Sequence, residues 1–288
     1  MTPNHKGALF MMGAMAAFTF NDTLVKAVGD ALPLSQILVL RGTMASLLIY
    51  AFARYQGSLR FRLSRRDWGL VGLRCLAEGG ATFLFLTALM RMPIANITAV
   101  LQMLPLTVTL GAALLFQEPV GWRRMVAILV GFCGMLMIVR PGPGGFEPAS
   151  VYALGAVACV TLRDLSTRRM SANVPSMTVT VLASFSVLGF GIGYSFFQDW
   201  VPVSTGQVGL LAGAACIILL GYLGSVMAMR VGDVAVVSPF RYTGLLWALI
   251  LGWLVFGDWP DQLTLMGATL VVAAGLFTLY RERQQTSG

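Results

Sequence analysis

The chain has 288 residues, 57% of them hydrophobic and only 11% charged, with a formal net charge of +8. Soluble domains carry about 25% charged residues, and so apolar a surface would not stay dispersed in water. Composition therefore excludes a globular protein in water and makes lipid the solvent for most of the chain. The connections between apolar runs are too short for a soluble domain, so the excess positive charge reads as loops facing an anionic leaflet, not as a nucleic-acid surface.

A membrane span needs roughly 20 predominantly apolar residues, and it must be helical because lipid cannot satisfy open backbone groups. Ten such segments are predicted, at 7–27, 34–54, 68–90, 93–116, 122–140, 149–169, 174–197, 207–230, 234–256 and 260–280. The first ends in "AAFTFNDTLVK" (16–26), where Thr19, Asp22 and Lys26 interrupt the apolar run. Ala14-Met15-Ala16 matches a leader cleavage pattern. Only Lys6 supplies a firm positive charge ahead of it, however, and the run continues past the site, so a span is expected. The second span carries Arg41. The third places Arg74, Glu78 and Thr82 one helical turn apart on one face, with Phe83 beside them. Either Arg74 and Glu78 neutralise each other, or Glu78 is a cavity carboxylate for a substrate ammonium or a proton. The fourth span holds Gln102, with Thr98 one turn before and Leu106 one turn after.

The sixth span ends in "ACVTLRDLSTR" (158–168), with Thr161, Arg163, Asp164 and Arg168. The eighth has Gly209, Gly213, Gly221 and Gly224 at close-packing spacings, and Tyr222. The ninth opens with "SPFRYTGLLW" (238–247), which combines Ser238, Pro239, Arg241, Tyr242 and Trp247. Pro239 frees a carbonyl within a helix. Arg241 either grips a carboxylate with its forked donors or snorkels to the interface. Phe18, Phe20, Phe83, Tyr222, Phe240, Tyr242 and Trp247 are the aromatics expected near mid-membrane. Trp68, Trp122, Trp200 and Trp259 fall at span ends as interfacial anchors. Cys75, Cys133, Cys159 and Cys216 each lie within a span, without CxxC spacing, and read as buried thiols.

The two charged stretches are copies of each other. An offset of 142 pairs Gly13 with Gly155, Ala14 with Ala156, Ala16 with Ala158, Thr19 with Thr161, Asp22 with Asp164, Lys26 with Arg168 and Pro33 with Pro175. Further on, an offset of 140 pairs Ala95 with Ala235, Thr98 with Ser238, Gln102 with Tyr242, Leu106 with Leu246, Phe116 with Phe256 and Glu118 with Asp258. The chain is thus two five-helix copies, 1–140 and 141–288. Five is odd, so the second copy enters the membrane from the opposite side.

Lysine and arginine favour cytoplasmic loops. With the N-terminus inside, the inner segments hold Lys6, Arg54, Arg60, Arg62, Arg65, Arg66, Arg123, Arg124, Arg168, Arg169, Arg230, Arg281 and Arg283. The outer segments hold only Lys26, Arg91 and Arg140. The basic loop "RYQGSLRFRLSRRD" has the mate "QDWVPVSTGQ", and "QEPVGWRR" has the acidic mate "GDWPDQ". The predicted fold is an all-α integral membrane protein. Its ten transmembrane helices form two inverted repeats around a central midplane cavity, with both termini cytoplasmic and the inner membrane of a bacterium as the expected location.

An ionisable residue within a span costs about 2.5–3.5 kcal/mol on insertion scales, so each needs a partner or a wet cavity. The residues expected to meet substrate are Thr19, Glu78, Thr82, Phe83, Gln102, Thr161, Tyr222, Ser238, Arg241, Tyr242 and Trp247. Those expected to gate are Asp22, Lys26, Arg41, Arg163, Asp164 and Arg168. For the last group the plainer alternative is two intrahelical ion pairs, Asp22–Lys26 and Asp164–Arg168, at wetted helix ends. His5 is the sole histidine, which leaves no Ser-His or His-metal centre for an intramembrane enzyme. A phosphate-binding GxxxxGK[ST] loop is absent, and no filter-like segment suggests a channel. A secondary transporter of a small molecule, without cofactor, is the expected function.

The fourth and fifth spans read "ALMRMPIANITAVLQMLPLTVTLGAALLFQEPVGWRRMVAILVGFCGMLMIV". With Pro93, Ala95, Pro105, Glu118, Gly131 and Gly134 this stretch resembles the EamA-type proteins of the drug/metabolite transporter superfamily. "AMRVGDVAVVSPFRYTGLLWALILGWLVFGDWPDQLTLMGATLVVAAGLF" resembles the second copy. It departs at Asp258, where Glu is usual, and at Leu245, opposite Pro105; Pro239 lies six residues earlier instead. The resemblance implies a ten-helix transporter, commonly a metabolite exporter. The chain is most similar to the aromatic amino-acid exporter branch, which implies an amino acid with an aromatic or large apolar side chain as cargo. A nucleotide sugar, a quaternary amine or a drug is the alternative.

Overall fold

The computed structural model describes residues 2–57, 59, 61–117, 121–140, 148–171, 173–232 and 234–286. Glu118 and Arg60, residues 141–147 at the start of the second copy, and the side chains of Ala235 and Arg283 lie outside the described residues. The helices are α1 (Pro3–Ala27), α2 (Leu34–Tyr55), α3 (Arg65–Leu89), α4 (Ile94–Leu101), α5 (Leu104–Phe116), α6 (Trp122–Val139), α7 (Ala149–Arg168), α8 (Ser176–Ser195), α9 (Thr205–Val231), α10 (Val234–Val237), α11 (Thr243–Phe256) and α12 (Gln262–Thr286). Among the described residues there are ten segments long and apolar enough to cross a membrane.

Two of the ten spans are interrupted in their first half, and they are repeat mates. In the fourth, α4 stops at Gln102, and α5 restarts with Pro105 in its first turn. Proline has no N–H to give the preceding turn and suits a helix start. In the ninth, α10 gives way to a 3₁₀ turn, Ser238–Tyr242, with Pro239 near its start, before α11 begins. The breaks meet: Gln102 Nε2 donates to the Tyr242 carbonyl at 3.4 Å. Since these two residues are mates by sequence, the pseudo-twofold axis passes between them.

Every major packing pair joins one helix of each copy, and each runs antiparallel. In α1 against α9, Gly221 faces Phe18 and Gly213 faces Leu24. In α3 against α7, Gly80 faces Cys159 and Gly155 faces Leu84. Because α1 is the mate of α7 and α3 of α9, these two pairs are one interface made twice. The pairs α2–α8 and α6–α12 each join a helix to its own mate, so mates point in opposite directions and the repeat is inverted. Where α6 crosses α12 the backbones touch. A Cβ on Gly134 would lie 2.6 Å from the Gly267 carbonyl oxygen, so only glycine fits.

Taken in order of contact, α1, α9, α2, α8, α3, α7, α5, α4 and α11 close into a ring, with α6 and α12 packed outside it behind α4 and α5. Both chain termini emerge at one face, called here the terminal face. The opposite, far face bears the turns at 28–33, 90–93, 196–204 and 257–261. The largest hydrophobic core fills the far half of the ring, joining Val25, Ile37, Leu89, Ile94, Val139, Ala149 and Leu211. Toward the terminal face the described residues form smaller separate clusters, around Met11 and Val237, around Ile49 and Val181, and around Leu106, Ile128 and Ala274. The far half of the ring is thus filled by one continuous core, whereas at the terminal face the helices are joined by smaller clusters, by Asp67 accepting from the Ser171 N–H and hydroxyl at 3.0 and 2.8 Å, and by the close approach of Gly7 to Gly232.

Polar ties reinforce the far half. Gln36 Nε2 donates to the Val201 carbonyl at 2.8 Å and its Oε1 accepts from the Val201 N–H at 3.1 Å. The Ser35 N–H donates to Gln198 Oε1 at 2.9 Å. Arg140 at the end of α6 forms an ion pair with Asp261 before α12. The Thr264 backbone N–H, 2.8 Å from Asp261, and after it Arg140, hold this carboxyl below the usual carboxylate range.

Candidate functional site

The polar residues of the spans converge on the inside of the ring. On α1, Asn21 Nδ2 donates to Asp22 Oδ1 at 2.8 Å. Their mates on α7 repeat the geometry with a different donor: Arg163 Nε donates to Asp164 Oδ1, also at 2.8 Å. Each pair then reaches a neighbouring helix. Arg41 of α2 donates to Asn21 Oδ1 at 3.2 Å and lies in the field of Asp22. Glu78 of α3 accepts from Arg163 at 3.3 Å and from Arg74, one turn earlier on its own helix, at 3.1 Å. Glu78 thus ties the two copies together across α3 and α7.

Two further residues complete the ring interior. Tyr222 of α9 stacks edge-on against Phe18, with centroids 5.5 Å apart, and sits in the field of Glu78, Arg163, Arg41 and Arg74. Arg241, in the 3₁₀ turn, faces Asp164 and Arg163. Tyr222 keeps 37% of its surface exposed although charged groups of α2, α3 and α7 lie around it. Arg241 is likewise exposed, in the field of Asp164 and Arg163. Both side chains therefore line a recess among the ring helices and not a packed core.

The two ends of this recess differ in charge. Asp22 and Arg41 balance each other. Toward the terminal face, Arg74, Arg163 and Arg241 stand against Glu78 and Asp164, leaving one cation in excess. Arg74 and Arg163 hold carboxylates directly, whereas Arg241 makes no ion pair among the described residues. A cation exposed in a recess without a carboxylate of its own is a ready partner for an anionic group.

The remaining sequence-predicted residues are distributed as follows. Thr19 is buried against span nine, its hydroxyl donating to the Met15 carbonyl and facing that of Gly244 at 3.5 Å. Its mate Thr161 shares a 2.7 Å hydrogen bond with Thr107. Thr82 and Ser238 are half-buried. Phe83 packs against Phe190 and Tyr194 of α8, at 5.4 and 5.0 Å, so its ring serves the α3–α8 seam. Tyr242 is buried with its hydroxyl against Gly275, where a Cβ would clash. Trp247 lies 6.2 Å from Phe20.

The intrahelical pairs Asp22–Lys26 and Asp164–Arg168 do not form among the described residues. Lys26 instead donates to the Met92 carbonyl and lies over the Phe256 ring, at the far face. Asp164 is taken by Arg163, and Arg168 is exposed at the end of α7. All four cysteines are free thiols, but none is buried as expected: Cys75 and Cys159 are half-buried, and Cys133 and Cys216 are exposed. Asn21 and Phe18 were not among the expected site residues. Asn21 could have been found from the repeat, because it occupies the position of Arg163, one residue before the matched aspartates.

Ten membrane-spanning segments, related in antiparallel halves around a cluster of charged side chains, are the architecture of a helical membrane transporter. The chain belongs to the EamA-like transporter family, whose model matches residues 5–140 and 148–280. It is 24% identical over 290 residues to an S-adenosylmethionine uptake transporter of Rickettsia prowazekii, covering 98% of this chain and 95% of the relative. It is 29% identical to the pseudopaline exporter CntI of Pseudomonas aeruginosa, covering 92% and 93%. It is 28% identical to a riboflavin transporter of Vibrio cholerae, covering 98% and 95%. A solved crystal structure shares the fold, with a TM-score of 0.65 at 19% identity over 96% of this chain and 98% of that one. The family and these relatives are transporters.

Proposed function

We propose that this transporter exports amino acids with aromatic or large apolar side chains by alternating access, its two copies, 1–140 and 141–288, rocking about the axis between Gln102 and Tyr242. The observation that carries the reading is Arg241, an exposed cation inside the ring with no ion pair among the described residues. It would receive the carboxylate. Glu78, which faces Tyr222 electrostatically, would receive the ammonium, and the Phe18–Tyr222 pair would flank the side chain. The terminal face is the loading side of an exporter if both termini are cytoplasmic, as the arginine-rich terminal-face loops favour. Reporter fusions after Arg66 and after Thr205 test that orientation and should lie on opposite sides; same-side results would remove it.

The relatives named for S-adenosylmethionine, pseudopaline and riboflavin favour a second reading, a metabolite of another class, carried inward or outward. Counterflow into proteoliposomes separates the two. Vesicles preloaded with phenylalanine or tryptophan should accumulate the labelled amino acid saturably. S-adenosylmethionine, riboflavin, a nucleotide sugar and a quaternary amine should compete weakly. Counterflow confined to one of those competitors, with none for amino acids, would establish the second reading.

A further inference from the structure

A cleft of about 480 Å³ lies away from the charged recess, between α5, α6 and α7. Because α6 packs outside the ring, this cleft opens toward lipid, and Leu114 and Leu115 on its rim are 72% and 62% exposed. Its two hydroxyls, Thr107 and Thr161, are spent on each other at 2.7 Å and on the Leu104 and Val157 carbonyls of their own helices. The rest of the lining is apolar, including Met103, Phe132, Leu154 and Leu165. A polar metabolite would find no partner there, whereas a hydrocarbon chain would. The lining runs on α4 and α5 from Val100 to Leu115. Fifteen residues at about 1.5 Å each give roughly 22 Å, enough for the acyl chain of one leaflet, about half of a 30 Å core.

The end of the cleft at the terminal face is basic. On α7 the lining stripe Ala158, Thr161, Leu162 and Leu165 reaches, one turn later, Arg169. That guanidinium lies 4.0 Å above the Phe116 ring, where α5 ends, and is exposed. On the same face α6 opens with exposed Trp122 and Arg123, stacked at 5.4 Å. Tryptophan at a span end marks headgroup depth, and basic residues between helices at that depth bind anionic headgroups. The twofold-related seam offers no such opening at Thr19, which is buried against α11.

We propose that this cleft is a binding site for one anionic phospholipid of the terminal-face leaflet, with an acyl chain along α5 and α7 and its phosphate at Arg169. The site is independent of the cargo assigned above.

Purified protein in detergent, titrated with dioleoyl phosphatidylglycerol or dioleoyl phosphatidylcholine and read by native mass spectrometry, tests this. Phosphatidylglycerol should bind saturably, about fivefold or more tighter than phosphatidylcholine, as expected for one basic residue at the headgroup. Arg169→Gln should remove the preference, and Arg169→Lys should keep most of it. Ala158→Phe, which fills the groove from an exposed position, should weaken both lipids. Equal binding of the two lipids by the wild type, or a preference untouched by Arg169→Gln, would overturn the proposal.

Discussion

Glu78→Gln is expected to lower stability by about 3 kcal/mol and transport by at least tenfold. Glu78 holds two guanidiniums, Arg74 at 3.1 Å and Arg163 at 3.3 Å, and its own side chain is only 14% exposed. Removing one partner of a largely buried pair typically costs about 3–5 kcal/mol, because a charge is left without compensation; the remaining exposure of Arg74 and Glu78, 17% and 14%, places this case at the low end. Arg163 keeps Asp164, so the orphan is Arg74. Glu78→Gln combined with Arg74→Gln restores the charge balance and should recover most of the thermal stability in detergent. Transport per folded molecule should stay low if the carboxylate also meets the substrate ammonium. Recovery of both stability and transport in the double variant would leave Glu78 a purely structural residue.

Arg241→Gln should act in the opposite sense on stability. Arg241 holds no carboxylate of its own among the described residues, so removing its charge should leave the protein as stable or slightly more so. A hydrogen bond to a charged group contributes about 1.5–3 kcal/mol, or roughly 10- to 150-fold in affinity. The half-saturation concentration for phenylalanine should rise within that range. Phenylalaninamide, which lacks the carboxylate, should be handled alike by wild type and variant. Equal losses for acid and amide, or a fall in stability, would assign Arg241 to the framework.

The span count and the inverted repeat were legible in the sequence, because twenty-residue apolar runs and mate pairs such as Thr19/Thr161 and Asp22/Asp164 survive in composition alone. Pro239 marked the break in the ninth span. The matching break at Gln102 was less visible, since Pro105 sits just inside the helix that restarts there and can also be read as continuous helix. The partners of the charges were not legible. An i,i+4 rule led to Asp22–Lys26 and Asp164–Arg168, yet Asn21 and Arg163 intervene. Residues one apart do not face each other on a bare helix, but here both side chains turn toward the same recess. Arg74–Glu78 follows the spacing rule; Arg163 joins it from 85 residues away, which no local pattern encodes. The filling of the far half was also hidden, because the core that makes it joins nearly every span.

Alternating access is tested most directly by cysteines placed singly at positions 22 and 164 in a chain from which Cys75, Cys133, Cys159 and Cys216 have been removed. Asp22 and Asp164 are mates displaced toward opposite faces, and the far-half core lies beside the first of them. In the state described here, position 164 should react with an aqueous thiol reagent supplied at the terminal face, while position 22 should resist one supplied at the far face. A saturating cargo gradient that draws the opposite state should invert the pattern, exposing 22 and protecting 164. Equal labelling of both positions under every condition would contradict alternating access and leave the two aspartates as static residues of a fixed cavity.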